Sequence, residues 1–378
     1  MMRPATAAIH TSVVLPQAGE TPITPIYQSS TFAIEGLESE PPYLYTRYQN
    51  PNRAQLERTL AALEGVEYAH CFASGMGAIH GALGHLRPGD HLLVASDLYG
   101  GTMNLVRSIL SPIGVEWSTF DAMIPGALTQ GARPNTRVAM YESPTNPTLR
   151  VCDIAAIAAE ARSLGVRTVF DNTFASPALQ APLALGVDVV VHSATKYLGG
   201  HSDITGGAVV TNDPAISEAV FQWLITSGAS PSPFECWLTH RGVKTLGLRM
   251  RQHCENAQAV AEFLVKHPRV RRVNYPGLAE HSGHELANRQ MSGMGGMLSA
   301  EFDAIETAHR LVSALKIWTF APSLGGVESL VGYPAKMSHA GLTQEERAEA
   351  GIPDTLLRFS AGIEDPLDLI EDLQAALT

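Results

Sequence analysis

Apolar residues along the chain recur in two patterns, short β-branched runs and longer stretches with helical spacing. Leu56, Leu60 and Leu63 stand at i, i+4 and i+7, and Gly65 follows them, which predicts a helix that ends at this glycine. Short apolar runs that are each followed by polar residues predict buried strands at 91–95, 136–141, 166–170 and 187–191. Because these runs alternate with helical stretches, the expected fold class is α/β, a mostly parallel sheet with helices on both faces.

The composition changes twice along the chain, which predicts three segments. Residues 1–45 are interrupted by prolines, a pattern typical of an extended arm, and we expect this arm to contact a neighbouring subunit. Residues 46–235 contain the alternation of strands and helices and form the predicted large domain. After the Ser-Pro pairs at 230–233, a long amphipathic helix with a break near Gly242 and further strand-like runs predict a smaller α+β domain over residues 236–378.

The charge balance and the cysteines argue against several classes of protein. The 26 basic and 37 acidic residues give a net charge of −11, which disfavours a nucleic-acid binder. No apolar run reaches the roughly 18 residues of a membrane span, and residues 1–10 lack the apolar core of a secretory signal. The four cysteines form no CxxC pair, and the histidines, including His192, are scattered and are interpreted as core or surface residues. We therefore expect a cytoplasmic protein with no disulfide framework and no metal site.

Polar residues that could carry chemistry follow three of the predicted strands. Glu142, Asp171 and Ser193 each stand at the end of an apolar run, and Thr195 and Lys196 come directly after the third. In a parallel sheet, functional groups collect just beyond the carboxyl ends of the strands. A lysine at this position is poorly solvated, so its pKa should fall and its amine should become nucleophilic. The alternative is a strand-end lysine that reaches solvent.

Asp171 ends the strand before the one that leads to Lys196, and two functions are open for it. As an N-cap it would only begin a helix. Beside a reactive lysine it would suit pyridoxal phosphate, whose protonated ring nitrogen needs an anionic partner. Gly75-Met76-Gly77 opens a helix of small residues whose first N–H groups can bind an anion. The third glycine of a dinucleotide fingerprint is missing there, which disfavours a nicotinamide-dependent oxidoreductase.

Eight short motifs occur in a fixed order along the chain. They are YTRYQNP (45–51), SGM (74–76), LYGGT (98–102), ESPTNP (142–147), DNTF (171–174), SATKY (193–197), SLGGVESL (323–330) and LRFS (357–360). In these motifs the chain resembles the Cys/Met-metabolism pyridoxal-phosphate enzymes, and especially the branch of the cystathionine γ-lyases and γ-synthases, over nearly its full length. The resemblance implies the fold of type I pyridoxal-phosphate enzymes, with the cofactor bound by residues 46–235.

The resemblance also implies roles for individual residues around the cofactor. Lys196 would hold pyridoxal 5'-phosphate in a Schiff base and then move protons, Asp171 would pair with the ring nitrogen, and Tyr99 would stack on the ring and act as an acid or base. The residues expected to bind the cofactor phosphate are Gly75, Met76, Ser193 and Thr195 and, from a neighbouring subunit, Tyr45 and Arg47. Sharing of the site in this way implies a homo-oligomer, a tetramer built as a dimer of dimers.

The substrate implied by the resemblance is a sulfur amino acid. Arg358 would clamp its α-carboxylate, with Ser323 and Asn146 assisting, and Glu142 would lie near the O3′ side of the cofactor.

Two positions depart from the pattern of the cystathionine γ-lyases and γ-synthases. These enzymes typically carry glutamate just before the Ser-Leu-Gly-Gly motif, where this chain has Pro322, and arginine two residues after Gly-Gly-Thr, where it has Asn104. The distal ammonium and carboxylate of cystathionine would then have fewer charged partners. We therefore expect relaxed specificity, with smaller or apolar thiol leaving groups accepted.

These features predict a pyridoxal-phosphate-dependent carbon–sulfur lyase. It would eliminate a thiol from L-cystathionine, L-homocysteine or L-methionine and give a 2-oxo acid and ammonia. The alternative is a γ-replacement transferase, of the cystathionine γ-synthase or O-acetylhomoserine sulfhydrylase type, that uses an activated homoserine. A non-enzymatic binding protein is disfavoured because Lys196, Asp171 and Arg358 are all present.

Overall fold

The structure is a computed structural model, and it describes residues 2–11, 21, 23–341 and 343–378. The helices of these segments are α1 (Pro4–His10), α2 (Pro51–Glu64), α3 (Gly75–Leu83), α4 (Gly100–Leu105), α5 (Ala127–Gly131), α6 (Ile154–Ser163), α7 (Ser176–Leu179), α8 (Pro214–Ser227), α9 (Pro233–Val243), α10 (Leu246–Val265), α11 (His284–Gln290), α12 (Ile305–Ala314), α13 (Gln344–Glu349) and α14 (Pro366–Leu377). The strands are β1 (Tyr68–Phe72), β2 (His91–Ala95), β3 (Glu116–Phe120), β4 (Thr136–Glu142), β5 (Arg167–Asp171), β6 (Val189–Ser193), β7 (Gly207–Thr211), β8 (Val270–Asn274), β9 (Met297–Phe302), β10 (Thr319–Phe320), β11 (Leu330–Gly332) and β12 (Leu356–Ser360).

The larger sheet confirms the predicted α/β class. Among the described residues seven strands form it, in the order β1-β7-β6-β5-β4-β2-β3. β7 runs antiparallel to both of its neighbours, whereas the pairs from β6 to β3 are all parallel. Helices cover both faces, so the central strands are buried from end to end, which explains their continuous apolar sequence.

The polar ends of the predicted strands meet at one edge of this sheet. Glu142 is the last residue of β4 and pairs in register with Asp171, the last residue of β5, while Ser193 ends β6. Since these three strands are parallel, their carboxyl ends lie side by side, as the sequence predicts.

A smaller sheet follows the helical connection. Five strands of the described chain form it in the order β10-β11-β12-β9-β8, and every pair except β10–β11 is antiparallel. α10, α12 and α14 contribute apolar side chains to the core on this sheet. The division of the chain at residue 235 stays a prediction.

The long helix predicted after the Ser-Pro pairs is interrupted, as expected, near Gly242. α9 ends at Val243 and α10 begins at Leu246. A Cβ atom on Gly242 would stand 2.2 Å from the carbonyl oxygen of Gly199. Only glycine therefore lets this helix approach the loop that follows Lys196 so closely.

The amino-terminal segment contains a helix that the sequence pattern does not predict. α1 begins with Pro4 at a favourable first-turn position and buries Ala7 and Ala8 against α2 and α10. A helix this short is held by such packing rather than by its own propensity, which is why periodicity misses it. Part of the predicted arm, at 12–20 and 22, lies outside the described residues. No helix in the described part of the chain is long and apolar enough to cross a membrane.

Asp372 in α14 ties the smaller sheet to its helices. Its carboxylate accepts hydrogen bonds from the backbone N–H groups of Lys316 at 3.0 Å, Ile317 at 2.8 Å and Trp318 at 3.2 Å. These bonds fix Trp318, whose ring meets Phe359 edge-on with centroids 5.4 Å apart. The carboxylate therefore anchors the packing beneath β12.

We expect Asp372→Ala to lower the free energy of unfolding by about 2 kcal/mol, because three backbone N–H groups, of which that of Trp318 is buried, lose a charged acceptor. Chemical denaturation followed by fluorescence measures the change. Glu371→Ala, which removes the adjacent exposed carboxylate, is the matched control and should change stability little. Equal losses in both variants would contradict the anchoring role.

Candidate active site

A cavity of about 590 Å³ opens at the carboxyl edge of the larger sheet. Ten of the twelve residues predicted for the site line it: Lys196, Tyr99, Gly75, Met76, Asp171, Ser193, Thr195, Asn146, Ser323 and Arg358. The other lining residues are Ser74, Ile79, Glu142, Pro144, Thr173, Phe174, His192, Thr205, Pro322, Leu324, Met337 and Ser338. The cavity thus combines residues of both sheets and of their connecting loops.

Lys196 extends into this cavity from the turn after β6. Its Nζ donates a hydrogen bond to Oγ of Ser323 at 2.7 Å. Burial, helped by the positive charge of Arg358, lowers the pKa of the Lys196 amine to about 8. The amine is therefore neutral, and able to act as a nucleophile or base, at a far lower pH than an ordinary lysine.

Asp171 and Glu142 form a pair of acids on neighbouring strands, of which Glu142 is buried and Asp171 partly buried. Oδ1 of Asp171 accepts a hydrogen bond from the N–H of Thr173 at 3.0 Å. Glu142 accepts from the N–H of Tyr99 at 3.0 Å and from the N–H of Asn146 at 3.1 Å, so it holds the backbone of two residues predicted for the site. Burial raises the pKa of both carboxyls, and Asp171 raises that of Glu142 further.

The start of α3 makes a cradle for an anion beside Ser193. Oγ of Ser74 caps the helix by accepting from the N–H of Gly77 at 3.0 Å, which leaves the first-turn N–H groups facing the cavity edge. A Cβ atom on Gly75 would stand 2.8 Å from Cβ of Ser193, so glycine is required there. The helix terminus and the hydroxyls of Ser193 and Thr195 suit a phosphate.

Arg358 approaches the cavity from β12 in the smaller sheet. It donates to Oδ1 of Asn146 at 3.1 Å and to the carbonyl oxygen of Ser323 at 2.8 Å. No carboxylate of the described residues forms an ion pair with this guanidinium, and burial lowers its pKa to about 10. Ser323 itself has a φ of +86°, a conformation that non-glycine residues rarely adopt and that concentrates at functional sites. A buried cation held only by neutral groups is suited to a carboxylate ligand.

Tyr45 and Arg47 do not line the cavity of their own chain. Arg47 donates to the carbonyl oxygen of Ile225 at 2.7 Å and lies over the ring of Tyr48, 4.6 Å from its centroid. Their expected contribution to a neighbouring subunit's phosphate site stays a prediction.

Asn104 also lies outside the cavity, in an adjoining opening lined by Met76 and Leu105 among others.

Four residues at the cavity did not stand out in the sequence. His192, interpreted as a core or surface residue, is buried beside the cavity, and its position directly before Ser193 at a strand end is the signal that could have found it. Thr173 is the third residue of the DNTF motif that contains Asp171, and its place in that motif could have found it. Met337 and Ser338 come from a loop with no motif of their own, so no sequence signal marks them.

Known proteins resemble the chain along its whole length. The model of the family described as Cys/Met metabolism PLP-dependent enzyme matches residues 5–378. The chain belongs to this family. It is 47% identical over 377 residues to the cystathionine gamma-synthase of Mycobacterium tuberculosis (strain ATCC 25618 / H37Rv), covering 99% of this chain and 96% of that protein. It is 42% identical over 376 residues to the cystathionine gamma-lyase of Bacillus subtilis (strain 168), covering 100% of this chain and 99% of that protein.

A solved structure extends the likeness to three dimensions. The cystathionine gamma synthase of Xanthomonas oryzae pv. oryzae, in complex with cystathionine, matches with a TM-score of 0.96 at 43% identity, covering 100% of this chain and 98% of that one. These findings confirm the type I fold and pyridoxal 5'-phosphate as the cofactor. The site fits this cofactor, since it offers an amine with a lowered pKa, a buried carboxyl and an anion cradle around one cavity. The chain is therefore a pyridoxal-phosphate enzyme of sulfur amino-acid metabolism. This assignment disfavours a nicotinamide-dependent oxidoreductase further.

In protein stripped of cofactor, we expect half of the Lys196 amine to be deprotonated, and therefore reactive toward acetylation, near pH 8. Acetylation by acetic anhydride, quantified at Lys196 by mass spectrometry, should rise through this pH because the protonated form below it is inert.

Arg358→Gln supplies the electrostatic control for this titration. Removing the nearby positive charge should move the midpoint upward, since Arg358 contributes to the lowered pKa of Lys196. A midpoint near the ordinary lysine value of about 10.4 in the unaltered protein would contradict the assignment.

Proposed function

We propose that this enzyme is a carbon–sulfur lyase that releases a thiol from L-cystathionine or L-methionine, or hydrogen sulfide from L-homocysteine, and, with uptake of one water, yields a 2-oxo acid and ammonia. The observation that carries the proposal is the distribution of charge around the cavity. The titratable residues among its lining are Tyr99, Glu142, Asp171, His192, Lys196 and Arg358. Pro322, Phe174 and Met337 leave part of the wall uncharged. Such a wall suits a neutral sulfur substituent better than one that carries a carboxylate and an ammonium.

The geometry of the cavity supports a set of residues that would hold the cofactor. The first turn of α3 at Gly75 and Met76, with Ser193 and Thr195, would bind its phosphate, and Asp171 would face its ring nitrogen. Tyr99, with its backbone held by Glu142, would stack on the ring. When bound, pyridoxal phosphate supplies the electron sink that lets the substrate lose a proton from Cα.

The chain's own groups would then position the substrate and move its protons. Arg358 and Asn146 would bind the α-carboxylate. Lys196, kept in place by Ser323, would take the proton from Cα, a step for which its pKa of about 8 is well matched. The hydroxyl of Tyr99 would donate a proton to the departing sulfur.

The second candidate is γ-replacement, in which cysteine or sulfide displaces the substituent of an activated homoserine. The 47% identity to a protein named cystathionine gamma-synthase favours it. Both reactions would use the same cofactor and carboxylate contacts, so the products separate them.

We also propose that the enzyme works as a homo-oligomer, a tetramer made of two dimers. The exposed side chain of Tyr45, and the position of Arg47 away from its own cavity, support a role at a partner's phosphate site. A cytoplasmic location stays a prediction of the sequence.

We expect 2-oxobutanoate from L-homocysteine, L-methionine and L-cystathionine when each is supplied alone. Cystathionine should have no more than about a tenfold advantage in kcat/KM, because a tenfold advantage needs about 1.4 kcal/mol and the wall offers few charged partners. Chromatography identifies the 2-oxo acid, and the rate at which it forms gives kcat/KM for each substrate. Pyruvate from cystathionine would indicate β-cleavage instead. Cystathionine formed from activated homoserine and cysteine, with no 2-oxo acid from any substrate, would overturn the proposal in favour of replacement.

We expect Pro322→Glu to raise kcat/KM for L-cystathionine relative to L-methionine about fivefold. Pro322 is exposed at the cavity wall, where a carboxylate could pair with the distal ammonium and gain about 1 kcal/mol. Pro322→Gln is the matched neutral control and should leave the ratio unchanged. A gain that is the same in both variants, or that does not fall with added salt, would contradict the electrostatic reason.

A further inference from the structure

A buried arginine, Arg53, lies beneath the turn formed by residues 45–48, which is expected to reach a neighbouring subunit's phosphate site. Arg53 stands in the first turn of α2 and is only 2% exposed. Its guanidinium donates to the carbonyl oxygen of Arg47 at 3.2 Å, to that of Tyr48, and to Oγ of Ser230 at 3.1 Å. The hydroxyl of Ser230 donates to the same carbonyl oxygen of Arg47 at 2.8 Å. The backbone of the turn is therefore held from within by one buried side chain.

Glu57 balances the charge of Arg53 and connects it to the larger sheet. Its carboxylate lies 3.4 Å from Nε of Arg53 and accepts a hydrogen bond from the N–H of Cys71 in β1 at 2.9 Å. The ion pair occupies the Nε side of the guanidinium, so both Nη atoms are directed to the turn and to Ser230. Because arginine presents its donors in a fixed planar fork, it holds several oxygens at once, which a lysine ammonium does less well.

The side chains of the same turn are exposed, although the backbone beneath them is held. Tyr45 and Tyr48 are 41% and 38% exposed, and Arg47 is exposed between them. The guanidinium of Arg47 lies 4.6 Å from the ring centroid of Tyr48 and 5.7 Å from that of Tyr45. No carboxylate of the described residues forms an ion pair with it. An exposed guanidinium without an acidic partner keeps N–H donors that suit a phosphate.

We propose that Arg53 is a positioning residue for cofactor binding in a neighbouring subunit. By holding the carbonyl oxygens of the turn, it fixes the backbone in the shape that presents Tyr45 and Arg47 to the cofactor phosphate of that subunit. Donors that are held in place before binding lose less conformational entropy when they bind, so the held turn binds the phosphate more tightly than a free one. The inference rests on the shared site proposed above and adds a residue that does not itself touch the cofactor.

The test compares pyridoxal phosphate with pyridoxal, which lacks the phosphate, by equilibrium dialysis. We expect Arg53→Lys, which keeps the charge but not the fork, to raise the dissociation constant of pyridoxal phosphate about fivefold, the effect of losing roughly one hydrogen bond. The dissociation constant of pyridoxal should stay unchanged. Ser230→Ala should act in the same direction by a smaller factor, and it serves if Arg53→Lys fails to fold.

Arg162→Lys is the matched control, because Arg162 also holds a backbone carbonyl oxygen, that of Gly186, at the opposite end of the larger sheet. It should alter neither dissociation constant. Equal rises for pyridoxal and pyridoxal phosphate in Arg53→Lys would mean that Arg53 supports the whole site rather than the phosphate contact, and the proposal would be wrong. Unchanged binding of pyridoxal phosphate in both Arg53→Lys and Ser230→Ala would overturn it as well.

Mixed oligomers show in which subunit Arg53 acts. One subunit carries Arg53→Lys and the other carries Lys196→Ala, and two affinity tags select the oligomers that contain both. Only the first subunit can then bind the cofactor through a Schiff base, whose absorption reports this site alone, and it receives its turn from a subunit with an intact Arg53. Its dissociation constant should return to that of the unaltered enzyme. A constant that stays raised would mean that Arg53 acts on the site of its own chain, which would contradict the proposal.

Two further measurements separate the role of Arg53 from the shared site and from assembly. Arg47→Gln should raise the dissociation constant of pyridoxal phosphate, and if it has no effect, the shared site itself fails. That outcome is distinct from a failure of Arg53 alone, in which Arg47→Gln weakens binding and Arg53→Lys does not. Sedimentation velocity should give the same oligomer for Arg53→Lys and the unaltered enzyme. A smaller species would mean that Arg53 acts on assembly, and the proposal would be overturned.

Discussion

The hydrogen bond from Lys196 to Ser323 joins the two sheets at the point where the chemistry takes place. Lys196 comes from the turn after β6 in the larger sheet, and Ser323 comes from the loop that leads into the smaller one. Arg358 binds the carbonyl oxygen of the same serine. One residue in a left-handed conformation therefore fixes both the amine proposed to move protons and the guanidinium proposed to bind the substrate carboxylate. The positions of the two sheets relative to each other determine whether the site exists.

The second constraint on this site is that its charged side chains are held by neutral groups rather than by partners of opposite charge. Lys196 and Arg358 are cations held by neutral oxygens, and Asp171 and Glu142 are acids held by N–H groups; Arg358 and Glu142 are buried, and Lys196 and Asp171 are partly buried. Each pays a desolvation cost that shifts its pKa toward neutrality. A ligand that brings a phosphate, a carboxylate and a ring nitrogen would supply the missing partners. The desolvation cost of these groups would thus be offset when such a ligand binds, which favours binding of a cofactor and a substrate with these groups.

The pattern of apolar and polar residues along the chain predicts much of this architecture, and the features that it does not predict have physical causes. The strand ends at Glu142, Asp171 and Ser193 follow from short apolar runs, because buried parallel strands need continuous apolar sequence. Contacts between distant parts of the chain leave no comparable pattern in the sequence. Arg53 and Ser230 stand 177 positions apart, and neither carries a signal for the other. α1 is likewise set by its packing on α2 and α10 and not by its own sequence.

The choice among reactions must lie in the parts of the cavity that the cofactor does not occupy. The groups suited to the phosphate, the ring nitrogen and the α-carboxylate are equally suited to elimination and to replacement, so they cannot favour one. Asn104 lies outside the cavity, which reduces its influence on a distal substituent. Pro322 and Met337, by contrast, stand on the wall. Because this wall has few charged groups, a substrate gains there from burying apolar surface, and selection among leaving groups rests on size and polarity more than on ion pairing.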